Sequence, residues 1–310
     1  MGIQPRSTLG IGFFGDGNQG FLDFDGSATV NGVAPVANVY IMTSDFESSN
    51  VRVRSGVTLA MSGYIAMANG NFQVDSGGVV TSMSPSVINA SGLTAGTGAS
   101  AAGSSGSTSG SGGAGRNTLG NGTAGSGSGA RDITQGTGGG AGGNADGANL
   151  GGAGNNTVDS TAAQGKVRSF RFALDQRLSD NTSGNGSGGG GGGGCNPGTG
   201  TATSGGGGAA NIPLYIFARF LNNKGTLHAN GGNGAAGSVT GNGLAGGGGG
   251  GPAAPIFIMT EAVLSKGTIN SLGGTGGAGA GTGATSGTAG SSSYICLFTP
   301  TYFTYGTSNI

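Results

Sequence analysis

The side chains able to do acid–base, nucleophilic or metal chemistry are few in this sequence, and they are widely spaced. Asp16, Asp23, Asp25 and Asp75 could in combination bind Ca²⁺ or supply the paired carboxylates of a glycosidase. Their spacing matches no EF-hand loop, and acids alternating with apolar residues lie on the solvent side of strands. The single histidine, His228, occupies the position held by Asn270 in the second copy of an internal repeat. A residue that exchanges with Asn reads as a surface or turn residue rather than a base. One His and two distant cysteines supply no zinc site of familiar spacing. Cys296 lies in the apolar run Tyr294 to Phe298 and reads as a small buried hydrophobe, whereas Cys195 lies in a glycine tract and reads as exposed. No Gly-x-x-x-x-Gly-Lys-Ser/Thr is present, and glycine patterns carry no dinucleotide signal where glycine is everywhere. These residues define no catalytic, cofactor-binding or metal site and identify no receptor-binding residue. A non-enzymatic role is expected.

The elements that must position any site are set by two internal repeats. The segment Pro213 to Gly234 recurs without gaps as Pro255 to Gly276, 42 residues later. Each copy is an apolar strand, a Lys-Gly-Thr turn (Lys224 to Thr226, Lys266 to Thr268), a short second strand and a glycine tract. A shorter repeat precedes it, with Asn50 to Gly56 matching Asn71 to Gly77 at an offset of 21 residues. Alternation places Val51, Val53, Phe72 and Val74 on one face and Arg52, Arg54, Gln73 and Asp75 on the other. Ser-Gly then turns the chain into a second short strand in each copy. Direct repeats of this kind stack in parallel and predict a β-solenoid with glycine at its corners; an antiparallel meander is the alternative.

Composition narrows the class further. Glycine supplies 77 of the 310 residues, without the strict three-residue period of collagen, and Pro numbers only 8. Hydrophobic residues are 34%, Trp is absent and charged residues are 8% with zero net charge, so a conventional core is not expected. The charge balance lacks the basic footprint of a nucleic-acid binder. No stretch approaches the roughly 18 apolar residues of a membrane span, so no nucleic acid and no membrane insertion are expected among the partners. The N-terminus has no basic segment followed by an apolar run, which argues against a Sec-type signal and for synthesis in a cytoplasm.

Glycine tracts alternate with the apolar strands. They include Gly188 to Gly194, Gly205 to Gly208, Gly246 to Gly251 and Gly273 to about Gly290, and the tracts after residue 182 carry no charge. A flexible linker is the plain reading. Against it stand the regular alternation with strands and spacings of three, as in Gly231, Gly234, Gly237 and in Gly243, Gly246, Gly249. Glycine chains in the polyproline-II conformation rise about 3.1 Å per residue and can pair backbone to backbone when packed side by side. Packed polyglycine-II helices are therefore expected. The stretch from Ser91 to Gly165 has a looser period and is the weakest case for packing. The apolar segment Val167 to Leu174 reads as a strand, and the aromatic tail from Ser292 as a final closing strand.

The alternation of glycine tract, apolar strand, Lys-Gly-Thr-Leu/Ile and Gly-Gly-x-Gly resembles glycine-rich tail-fibre and tail-tip proteins of bacteriophages. Lys224 to Gly234 and Lys266 to Gly276 carry the resemblance best, and Gly15 to Gly20 looks similar to the N-terminal entry of such proteins. It implies an all-β chain with a β-solenoid stem and glycine-rich insertions. Its organisation would be an attachment segment at 1–20, coils over 21–90, a Gly/Ser/Ala-rich segment at 91–165, strands alternating with polyglycine at 166–291 and a closing strand at 292–310. It also implies a virion component at the tail or another surface appendage, self-associating as a homotrimer. Its partners would be other tail proteins and a host-surface glycan or protein; no cofactor is implied. A glycine-rich bacterial surface protein, an ice-binding protein and a glycan-degrading β-helical spike remain as alternatives.

Overall fold

Short runs of β-branched and aromatic residues, bounded by glycine, form strands throughout this chain. The computed structural model describes residues 14–98, 111–125, 139–154, 190–299 and the backbone of 303–307. The segment Val167 to Leu174 and most of the proposed attachment segment lie outside the described residues. Within them the chain is nearly all-β: β1 (Phe21–Phe24), β2 (Val39–Ile41), β3 (Phe46–Ser48), β4 (Asn50–Val53), β5 (Thr58–Ala60), β6 (Ile65–Val74) and β7 (Val79–Thr81) lead to a single-turn helix α1 (Pro85–Ile88). Then follow β8 (Cys195–Asn196), β9 (Thr201–Thr203), β10 (Leu214–Asn223), β11 (Thr226–His228), β12 (Ser238–Thr240), β13 (Leu244–Ala245), β14 (Ile256–Ser265), β15 (Thr268–Asn270), β16 (Tyr294–Phe298) and β17 (Phe303–Thr307).

Two sheets organise these strands. The larger runs β1-β4-β6-β10-β14-β16-β17, with β3 beside the first half of β6; the smaller runs β2-β5-β7-β11-β15. Every pair in them is parallel except β16 with β17. The antiparallel meander is thereby ruled out for these strands. The sequence repeats are the pairing registers. Val51 faces Phe72 and Leu59 faces Val80 at the 21-residue offset, while Ile216 faces Ile258 and Leu227 faces Ile269 at the 42-residue offset. Between β7 and β11 the chain leaves the stack and returns in register, so that Leu227 meets Val80.

Both sheets feed one core. Val51, Val53, Phe72, Val74, Leu214 and Ile216 of the larger sheet pack with Leu59, Val80, Leu227 and Ile269 of the smaller. The inward residues expected from alternation are all buried. The outward ones form a charged ladder, with Arg52 paired to Asp75 at 2.8 Å and Arg54 to Asp23 at 2.6 Å. Such solvent-facing pairs are screened by water and fix the solvent side rather than the stability. Gly56 and Gly77 close the corners of the two copies at φ +75° and +81°, where a side chain would be strained. Asn223, fully buried, ties one 42-residue repeat to the next: its Nδ2 donates to the Lys266 and Thr268 carbonyls and its Oδ1 accepts from Gly225 N–H. The tail supplies two strands rather than one. β16 continues the parallel order and β17 turns back against it.

The glycine tracts pack on one another through backbone hydrogen bonds. Along 246–251 the N–H groups rotate among three neighbours. Gly246 and Gly249 donate to Gly194 and Gly191, Gly247 and Gly250 to Thr285 and Thr288, and Gly248 and Gly251 to Ala235 and Gly232. The same rotation holds along 190–195: Gly190 and Gly193 reach Gly208 and Gly205, Gly191 and Gly194 reach Gly140 and Gly143, and Gly192 and Cys195 reach Thr123 and Gly120. Residues 111–125 and 139–154, from the stretch with the weakest periodicity, are therefore integral to this packing. A Cβ on any glycine from 246 to 251 would fall closer than 3.0 Å to a neighbouring carbonyl oxygen. The tracts are glycine because the backbones touch.

Candidate functional site

Of the four acids singled out in the sequence, Asp23, Asp25 and Asp75 all act electrostatically on Arg54, and each carboxylate has its own hydrogen-bond partners. Asp23 is engaged by Arg54, and Asp75 by Arg52 and by Gln73 Nε2 at 2.6 Å. Asp25 closes the turn after β1: its Oδ1 accepts from Ala28 N–H at 2.9 Å and Ser27 N–H at 2.8 Å, and these bonds hold its carboxyl down to about 2. Asp16 accepts from Asn18 N–H at 3.0 Å. Among the described residues no group of three or more His, Cys, Asp or Glu is arranged to hold a metal ion, and no helix is long and apolar enough to cross a membrane.

The reading of Cys195 as exposed is corrected. It lies on β8, fully buried with Ala202 and Ala245, and its Sγ donates to the Ala202 carbonyl at 3.4 Å. A glycine tract suggests open chain, but here the tract is itself interior. Cys296 is buried as expected, on β16. Burial pushes both thiols up, that of Cys296 to about 12. Neither presents a thiolate near neutral pH, and both are free.

His228 is a strand residue rather than a turn residue. It is half-buried on β11, between Thr81 of β7 and Asn270 of β15. Thr81 Oγ1 donates to the Met83 carbonyl at 3.0 Å, so toward His228 Nδ1, 3.5 Å away, it can only accept. That assigns the proton to Nδ1 and leaves Nε2 as an acceptor. Burial lowers the imidazole pKa below 6.5. The unfolded chain therefore binds the proton first as pH falls, and stability is lost from about pH 6.5 downward. Asp25, and Asp146 held to about 2 by the Asn196 side chain and by the Asn149 and Ala148 N–H groups, act only below their ordinary value of 3.8. Denaturation midpoints measured between pH 7 and pH 5 should accordingly fall for the natural chain and stay flatter for His228→Asn. Equal slopes would refute this assignment.

At His228 a groove of about 330 Å³ opens, lined also by Ile88, Leu272, Asn89, Asn230 and Asn233. Each of the three amides spends its oxygen on a backbone N–H. Asn89 Oδ1 accepts from Asn233 at 2.7 Å, Asn230 Oδ1 from Leu272 at 2.8 Å and Asn233 Oδ1 from Thr275 at 2.9 Å. The latter two bonds join positions 42 residues apart, one repeat to the next. Sequence reasoning missed these asparagines. Their only signal was Asn230 and Asn233 three residues apart in one repeat, facing Leu272 and Thr275 in the other. Comparison of the chain with family models, curated proteins and solved structures returned no match.

Proposed function

We propose that this chain is a structural virion protein of a bacteriophage, a tail-fibre or tail-tip component that contributes to host-surface recognition. In this reading the two parallel sheets are the coils of a β-solenoid stem, and the glycine tracts are polyglycine-II helices packed beside it. The observation that carries it is the period-three rotation of the tract hydrogen bonds, which a chain with three residues per turn presents to three neighbours. A lattice tied through its backbone, with Arg116 and Asp146 as the charged side chains of its described tracts, is stiff without needing a large apolar core, which suits an appendage that must hold its shape outside a cell. The parallel stack adds a second stiff layer, continuous in chain with the tracts that follow β11 and β15. Three copies assembled side by side would let tracts pair across subunits.

Light scattering coupled to size exclusion should give the mass of three 29.1 kDa subunits. Bacterial cells saturated with that material should then adsorb fewer of the virions that carry it. A stable monomer at micromolar concentration would remove the trimer. Unchanged virion adsorption by saturated cells would remove the attachment role.

A further inference from the structure

We propose that the groove beside His228 binds a carboxylate-bearing sugar residue. Because the Oδ1 atoms of Asn89, Asn230 and Asn233 are all held by backbone N–H groups, the orientation of each amide is fixed and its Nδ2 is the free end. None of the three Nδ2 groups makes a hydrogen bond among the described residues, and Asn89 and Asn230 are half-buried while Asn233 is exposed. His228 Nε2, bare by the tautomer argued above, adds one acceptor. The groove thus combines three amide donors and one imidazole acceptor with an apolar lining from the exposed Leu272 and the buried Ile88. A ligand that matches must be rich in acceptors, carry at least one hydroxyl donor and have an apolar side. A uronic acid meets all three terms: its carboxylate takes the amide donors, a ring hydroxyl donates to the imidazole, and its C–H face lies on the leucine and isoleucine. The volume is at the lower end of small-molecule sites and suits a single sugar residue rather than a long oligosaccharide. Because the amides are preset by the repeat register, little ordering accompanies binding.

This inference deepens the host-attachment reading and rests on it for its biological setting, but its test is independent. Saturation-transfer NMR and calorimetry on the full chain, with D-glucuronate and with D-glucose as the neutral counterpart, measure it directly. D-Glucuronate should bind with a dissociation constant on the order of 1 mM, and D-glucose at least about tenfold more weakly, the loss expected for a charge-assisted hydrogen bond. Asn230→Asp combined with Asn233→Asp keeps both Oδ1 acceptors for the backbone while replacing donors by anions, and should abolish D-glucuronate binding with an unchanged circular dichroism spectrum. Asn89→Asp should weaken it at least about tenfold by the same reasoning and serves if the double variant does not fold. No binding of D-glucuronate, equal binding of the two sugars, or binding that survives all these substitutions would each overturn the proposal. Absent sugar binding with adsorption competition intact would remove this groove and leave the attachment role standing.

Discussion

Gly248→Ala should lower the stability of the chain by on the order of 3 kcal/mol, an unusually large effect for one added methyl group. The new Cβ would fall closer than 3.0 Å to the Gly206 carbonyl oxygen, with Gly207 N also in contact. All of these atoms are backbone, which leaves nothing flexible to give way. The two tracts that would have to part are held together by Gly205 N–H donating to Gly246 O at 3.0 Å and Gly208 N–H donating to Gly249 O at 2.9 Å. Gly248 also donates to Ala235 O and accepts from Gly277 N–H, so its displacement strains a second and a third neighbour. Gly147→Ala is the matching control: a Cβ there meets nothing within 4 Å, and its backbone is not left-handed. That substitution should be neutral, or stabilise by a few tenths of a kcal/mol through the unfolded chain. Guanidinium denaturation followed by circular dichroism measures both. If Gly248→Ala behaves like Gly147→Ala, the tracts do not touch as described.

The strand register was legible before any coordinates because a stack of parallel strands writes its pairing into the sequence. The offset at which Val51 resembles Phe72, or Leu227 resembles Ile269, is the offset at which they pair. The inward set followed from alternation alone. The lattice was legible only as a tendency. Spacings of three pointed to packed tracts, but which tract lies beside which leaves no trace in a residue without a side chain. Gly191 and Gly193 are the same letter, yet one reaches Gly140 and the other Gly205. The error over Cys195 has a related origin, since the side chains that bury it, Ala202 and Ala245, come from strands that the sequence does not place beside it. The return of the chain from β7 to β10 across more than a hundred residues was also beyond reach, because the two ends share no offset with the repeats. The groove illustrates a third limit. Its asparagines act through the orientation of their amides, which depends on N–H groups one repeat away and not on the residues beside them in sequence.

Phe72→Ala should cost about 3–5 kcal/mol, the range for truncating a buried phenylalanine in a packed core. Phe72 is fully buried and lies at the middle of an inward column that runs Leu22, Val51, Phe72, Leu221 and Val263 across five strands of the larger sheet. Its neighbours above and below are fixed by parallel hydrogen bonds, so the sheet cannot collapse into the void without breaking register. Leu59 and Val80 of the smaller sheet share the same core and are held by their own ladder. The cavity term should therefore be close to its full value rather than relaxed away. Gln73 is the next residue on the same strand and points outward, its one side-chain bond running to Asp75; Gln73→Ala should cost no more than about 1 kcal/mol. The contrast between adjacent residues tests the alternation itself. A shift of β6 by one position would exchange the two costs, and comparable losses at both sites would mean that the strand does not have one face in the core and one in solvent.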